Sequence, residues 1–311
     1  MDRRGFVRFA AAAGTMAAPA RVLFAPAGDR RLVERWSWVM GQSIHLMLYA
    51  SSEDHGLEAA SLALAELRRI EARLSRFDGA SDLSELNRSA GRRPVRIGAD
   101  LAAVLAAGAR AFATTGGAFN LAVEPLMRTW GFRDPRIMPP SGRELAEARA
   151  AVLAAEVRTS GPHAFLPSAS TELDLGGIGV GYGLDRAGEV LRRAGIGRAL
   201  IDISGDCLAI GTPPGRAGWT IGIAKPGTRG AIERTVSLAG QALATSSNFE
   251  STIRLGAIVA GHVMDPHTGR PASMRRQATM ITGRAVDADA FSTAALITGT
   301  AVGGRLLTAT A

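Results

Sequence analysis

Five glycines within eight residues constrain this chain more than any other feature. They stand in Leu173-Asp174-Leu175-Gly176-Gly177-Ile178-Gly179-Val180-Gly181-Tyr182-Gly183-Leu184-Asp185. Alternating apolar and acidic residues precede them, and apolar residues at helical spacing follow through Leu191. The pattern predicts a strand end, a glycine turn and a helix start. Glycine lets the backbone approach a ligand closely, and a helix N-terminus favours an anion, so a phosphate-bearing ligand fits here. A tight turn packing a helix onto a sheet satisfies the same residues. Neither the spaced dinucleotide fingerprint nor a P-loop ending is present.

At 311 residues the chain accommodates one large or two modest domains. The formal net charge is +8 with Lys225 as the single lysine, so the positive charge is arginine. Arginine clusters bind phosphates, and a general compositional bias also explains the charge. No dense basic run with interleaved aromatics is present, which argues against nucleic acid. Cys207 is the only cysteine. An intramolecular disulfide and a cysteine metal cluster are therefore excluded, and the apolar run around Cys207 predicts a buried small side chain.

The N-terminus, Asp2-Arg3-Arg4-Gly5-Phe6-Val7-Arg8-Phe9, leads into an alanine-rich run ending at Ala20. Paired arginines before a short apolar segment predict a twin-arginine export signal. Ala18-Pro19-Ala20 and Ala25-Pro26-Ala27 are candidate cleavage sites. Residues 1–27 are thus expected to be an export signal, residues 28–311 the working domain, and the location periplasmic. Gly14 and Pro19 interrupt the run, which is too short for a membrane span.

Along the remaining chain, Trp38 to Tyr49 reads as a first strand. Helices are predicted over Leu57 to Leu74, Asp100 to Thr115 and Glu144 to Ala155. Asp134 to Gly142 is a loop, and Thr159 to Ser170 shows no pattern. Strands are predicted over Arg198 to Ile203, Trp219 to Lys225 and Ala278 to Thr282. Asp265-Pro266-His267-Thr268-Gly269 is a turn closing a hairpin, with His262 at the strand end before it. Asp289 and Thr293, four residues apart, share one side of a helix. A carboxylate, a hydroxyl and carbonyls make a hard oxygen site suited to Mg²⁺; a capped helix turn is the plainer alternative.

Several stretches, taken in order, resemble the ApbE family of FAD:protein FMN transferases. They are Met40-Gly41, Ser75-Arg76-Phe77-Asp78 with Leu86-Asn87, and Gly117-Ala118-Phe119-Asn120 with Pro125-Leu126 and Trp130-Gly131-Phe132. The glycine run after Asp174 follows, then Ser204-Gly205-Asp206, Thr245-Ser246-Ser247-Asn248-Phe249 as a turn, and His262-Val263-Met264-Asp265-Pro266-His267-Thr268-Gly269. Asp289 and Thr293 close the series. Asn120 stands where the family has aspartate, Val180 where lysine is frequent, and Ser247 where it has glycine. The resemblance also implies a chain shortened beyond Leu307.

The resemblance implies an α+β, T-fold-like architecture with mixed and antiparallel sheets packed by helices. It implies Mg²⁺-dependent transfer of FMN from FAD to a threonine or serine hydroxyl of an acceptor flavoprotein, releasing AMP. The Gly177 carbonyl, Asp289 and Thr293 would hold the metal. Met40, Phe77, Ala118, Phe119, Asn120, Asp174, Val180 and Met264 would line the flavin nucleotide. His262 would be the base for the acceptor hydroxyl. Hydrolysis of FAD to FMN and AMP, or flavin binding without catalysis, are the alternatives.

Overall fold

The computed structural model describes residues 31–310 apart from 229, 250 and 275. The expected export signal, residues 1–27, lies outside the described residues. Alternating buried and exposed positions form a hairpin from β1 (Arg31–Val39) and β2 (Gln42–Ala50). Its two-residue turn is Met40-Gly41, with φ of 53° and 70°. Two positive φ values give the turn twist that suits a tight hairpin. The single strand expected over Trp38 to Tyr49 is therefore the end of β1, a turn, and most of β2. The remainder of β1 carries exposed Trp36, Arg31 and Arg35 on a sheet edge, which hides its strand character.

The chain continues through α1 (Glu53–Leu74), α2 (Asp82–Arg88), β3 (Val95–Arg96), α3 (Ala99–Thr114), α4 (Glu124–Trp130) and α5 (Gly142–Leu153). β4 (Arg158–Ser160), which starts one residue before the patternless stretch, and β5 (His163–Phe165), within it, join β3 in a small sheet. Ser52 caps α1, accepting a hydrogen bond from the His55 N–H. Ser141 and Glu144 form a reciprocal capping box on α5.

Next come α6 (Gly179–Arg193), β6 (Ala199–Ile203), β7 (Asp206–Ile210), β8 (Trp219–Ala224), β9 (Ile232–Leu238), β10 (Ala242–Ser247), β11 (Thr252–Leu255), β12 (Ile258–Gly261), β13 (Arg276–Thr282), α7 (Ala285–Thr298) and β14 (Arg305–Thr310). The main sheet has seven strands in the order β1-β2-β6-β7-β10-β13-β14. Its neighbours are antiparallel throughout. The architecture is α+β as expected, and the described strand pairs are antiparallel rather than mixed.

On one face of the sheet, α1 and α6 pack their leucines and alanines against Ile44, Leu46, Leu48, Ile201 and Leu208. On the other, the β8–β9 hairpin covers Leu200, Cys207, Ala209 and Leu243 with Trp219, Ile223 and Leu238. Cys207 is buried, as its apolar run predicts. α7 buries residues on nearly every side, including Ala285, Ala288, Ala290, Ser292, Ala295 and Leu296. A helix apolar all round belongs between other elements, and α7 lies against α6, β10 and β13. No described helix is long and apolar enough to cross a membrane.

Candidate active site

The glycine run begins helix α6 five residues earlier than its apolar spacing suggests, at Gly179. Packing explains the glycines inside it. A Cβ at Gly181 would lie 2.3 Å from the Ala285 carbonyl oxygen and 2.8 Å from Asp289 Cβ. A Cβ at Gly177 would lie 3.0 Å from Thr293 Oγ1, and one at Gly183 would lie 2.7 Å from Met40 Cε. The run therefore lets α6 approach α7 at backbone distance and seats the Met40 side chain against α6. The two helices are also joined end to side. Asp185 of α6 accepts from the N–H groups of Ala285 and Val286 at 2.8 and 3.1 Å, capping α7.

This approach assembles an oxygen cluster. Asp289 Oδ2 accepts the Gly181 N–H at 2.9 Å. Ser246, at the end of β10, places its Oγ 2.7 Å from Ser292 Oγ and 3.2 Å from Thr293 Oγ1. Asp289 is 6 % exposed, and burial pushes its carboxyl up to about 7 against the pull of the Gly181 N–H. Among the described residues no basic side chain pairs with it. A buried carboxylate with one neutral donor is a costly anion unless a cation accompanies it. The surrounding hydroxyls are hard donors, so the residues fit a divalent ion such as Mg²⁺. Among the described residues no three His, Cys, Asp or Glu side chains gather; the cluster rests on one carboxylate and on hydroxyl oxygens. Ser246 and Ser292 had no ligand role in the sequence reading, because only the fold brings β10 beside α7.

The N-terminus of α6 opens next to this cluster. Ile178 supplies no side-chain cap, and the first turn carries no acidic residue. The positive end of the helix faces the cluster: the Gly181 N–H of this first turn donates to Asp289, and the Gly179 N–H to the Leu175 carbonyl. Val180, in that first turn, is partly buried and packs against the apolar layer between α1, α6 and the sheet.

A second group of charges flanks the glycine turn. Asp174 Oδ1 accepts the Gly176 N–H at 2.6 Å, and Oδ2 accepts Arg133 Nη2 at 2.5 Å. Arg133 also grips the fully buried Glu124 through both carboxylate oxygens, and Arg76 reaches Glu124 at 2.7 Å. Burial pushes the Glu124 carboxyl up, the Arg76 guanidinium pulls it down, and Asp174 and Glu172 push it up again. Arg76 lies 3.5 Å from Asp174 and stacks over the Phe77 ring at 5.4 Å. Phe77 itself is 85 % exposed. The network thus holds an exposed aromatic beside Asp174. Arg133 and Glu124 gave no signal in the sequence beyond their nearness to Trp130-Gly131-Phe132.

The other sequence-predicted residues take varied positions. The Met40 N–H donates to Glu71 at 2.9 Å, and its side chain fills the junction of α1 and α6. Ala118 and Phe119 are buried, and Phe119 lies against Gly177. The Asn120 amide oxygen accepts the Ala122 N–H at 2.8 Å, shaping the entry to α4. Met264 is buried with Leu126, Trp130, Leu255 and Ala260. His262 is half-buried directly after β12. The turn after it is tied by Thr268 Oγ1 and the His267 N–H to Asp265, and by Trp130 Nε1 to the Gly269 carbonyl. The Thr245–Phe249 stretch, expected as a turn, remains strand through Ser247.

A sequence profile described as the ApbE family matches residues 40–311. FAD:protein FMN transferase of Haemophilus influenzae is 30% identical over 246 residues, 76% of this chain and 71% of that protein. The enzyme of the same name from Treponema pallidum is 29% identical over 295 residues, 88% of this chain and 81% of the relative. Among solved structures, the ApbE protein of Thermotoga maritima superposes with a TM-score of 0.78 at 26% identity, covering 86% of this chain and 87% of that one. The flavinyl transferase ApbE of Pseudomonas stutzeri gives 0.75 at 25% identity, covering 88% and 86%.

Proposed function

The chain belongs to the ApbE family, and from that premise we propose that it is an FAD:protein FMN transferase, moving FMN from FAD onto a threonine or serine of an acceptor flavoprotein with release of AMP. The observation that carries this reading is the juncture of α6, α7 and β10. A buried carboxylate with no cationic partner among the described residues, flanked by Thr293, Ser246 and Ser292, accepts the Gly181 N–H in the first turn of the glycine-opened helix α6. The arrangement suits a pyrophosphate accompanied by Mg²⁺.

Asp289 and Thr293, with the Gly177 carbonyl, would hold the metal. A bound cation would neutralise pyrophosphate charge and polarise the phosphorus–oxygen bond as a Lewis acid. The protein's own groups do the rest. Asp174 and Phe77, fixed by Arg76 and Arg133, would orient the flavin nucleotide, with Met40, Ala118, Phe119 and Asn120 behind them. Val180 and Met264 support these walls from the apolar side. His262 would take the proton from the acceptor hydroxyl through an imidazole nitrogen. The hydroxyl oxygen then attacks the flavin-side phosphorus, the pyrophosphate P–O bond breaks, and AMP leaves. With the arginine pair near the N-terminus, we place this activity in the periplasm after twin-arginine export.

Incubation with FAD, Mg²⁺ and a soluble flavoprotein domain bearing an acceptor threonine tests the proposal. Covalent flavin on the domain is expected. AMP without covalent flavin would make the protein a hydrolase, and neither product would make it a flavin binder.

A further inference from the structure

Asn248 lies at the bend after β10 and is 0 % exposed. Its amide oxygen accepts the Val263 N–H at 2.8 Å. Its amide nitrogen donates to the Val263 carbonyl at 3.2 Å and the Ala272 carbonyl at 2.9 Å. One side chain therefore holds both backbone groups of the residue after His262. The Val263 N–H belongs to the peptide that follows His262, and the His262 N–H, in the preceding peptide, donates to the Ser251 carbonyl at 3.1 Å. With both flanking peptide planes held, the direction of the His262 Cα–Cβ bond is set.

The amide also reaches Ala272, on the segment returning from the Asp265–Gly269 turn, whose N–H donates to the Val263 carbonyl at 2.8 Å. Space for it is reserved, since a Cβ at Gly261 would lie 2.3 Å from Asn248 Cβ and Cγ. Two residues before Asn248, Ser246 touches Thr293 and Ser292. Asn248 thus joins the strand that completes the oxygen cluster to the segment that carries the histidine.

We propose that Asn248 is a positioning residue for His262, fixing the backbone from which the imidazole projects. The proposal rests on the reading of His262 as the base for flavin transfer. No other side chain type of this size fills the role. Aspartate offers no donors to two carbonyls, and leucine of similar volume leaves three buried backbone groups without this partner.

The test is a double-mutant cycle of Asn248→Ala and His262→Ala, with a threonine-bearing flavoprotein domain as acceptor. kcat, KM for FAD and the half-activating Mg²⁺ concentration are measured, with melting curves as the folding check. Asn248→Ala is expected to lower kcat roughly 10- to 100-fold, as for a displaced catalytic group, with KM for FAD and the Mg²⁺ requirement within about twofold. In the His262→Ala background the same substitution is expected to change kcat by less than about twofold, because the group it positions is gone. Asn248→Ser, which leaves a smaller gap and one hydroxyl, provides the same comparison should the alanine variant fold poorly. Equal losses in both backgrounds, or a loss confined to FAD or Mg²⁺ binding, would overturn the positioning role alone. Full kcat in His262→Ala, or a wild-type protein that transfers no flavin, would reject the underlying reading together with it.

Discussion

Replacing Gly181 by alanine puts a methyl group into the α6–α7 contact. The new Cβ would sit 2.3 Å from the Ala285 carbonyl oxygen and 2.7 Å from its carbon. These are backbone atoms of a buried helix, so no side chain can swing away. Restoring ordinary contact requires the helices to separate by roughly 1 Å. The Gly181 N–H to Asp289 bond, 2.9 Å in the native protein, would then stretch past hydrogen-bonding range. Overpacking costs about 1–3 kcal/mol, and the lost bond to a charged acceptor about 1.5–3 kcal/mol. Alanine's better helix propensity returns about 1 kcal/mol. The net loss is about 1.5–5 kcal/mol, a fall in Tm of roughly 2–8 °C for a chain of this size. Gly179→Ala is the control, because its Cβ would meet nothing nearer than Leu175 Cβ at 3.9 Å. That variant is expected to match or slightly exceed wild-type Tm. Thermal melting by circular dichroism separates them. Equal melting of the two variants would refute packing as the reason for glycine at position 181 and restore the simple turn.

Other outcomes follow from particular residues. Val180 packs against the apolar layer, so Val180→Lys is expected to lower Tm with little gain for FAD; tightening of about tenfold or more, the value of a charge-assisted contact, would place the side chain at the phosphates instead. The Ser141 backbone N–H and hydroxyl, with Arg136, hold the Glu144 carboxyl down at about 2. A depressed folded-state value means its stabilisation is present above the ordinary carboxylate range and fades as pH falls toward 2. The Tm difference between wild type and Glu144→Gln should therefore shrink over that interval, and a difference constant from pH 7 to pH 2 would contradict it. Changing Arg3 and Arg4 to lysine is expected to leave the protein in the cytoplasm, measured by fractionation, and undiminished mature protein outside the inner membrane would exclude the signal.

The parts legible in sequence were those with a local period. α1, α3, α5, β2 and β13 follow their apolar spacing to within a few residues. β1 was hidden because an edge strand needs few buried positions, and its tryptophans face outward. α6 began early because glycine reads as a turn locally, whereas a close helix crossing also demands it. At the site, the spacing of Asp289 and Thr293 puts both on one side of a helix, and the ApbE resemblance singles them out as candidate ligands where spacing alone also fits a capped turn. Ser246, Arg133, Glu124 and Asn248 were not legible, since each acquires its role from elements distant in sequence. Asn120 and Met264 lie where the ApbE resemblance directs attention, yet their contacts are with Ala122 and with the apolar cluster around Trp130.

The most direct test of the central assignment is cation binding at Asp289. Mg²⁺ is titrated calorimetrically into the FAD-loaded full chain and into FAD-loaded Asp289→Asn, which keeps the shape of the side chain and removes its charge. The buried carboxylate of the α6–α7–β10 cluster predicts one Mg²⁺ per native chain and an affinity at least roughly tenfold weaker in the variant, about 1.4 kcal/mol or more. Equal Mg²⁺ affinity in the two proteins would contradict it.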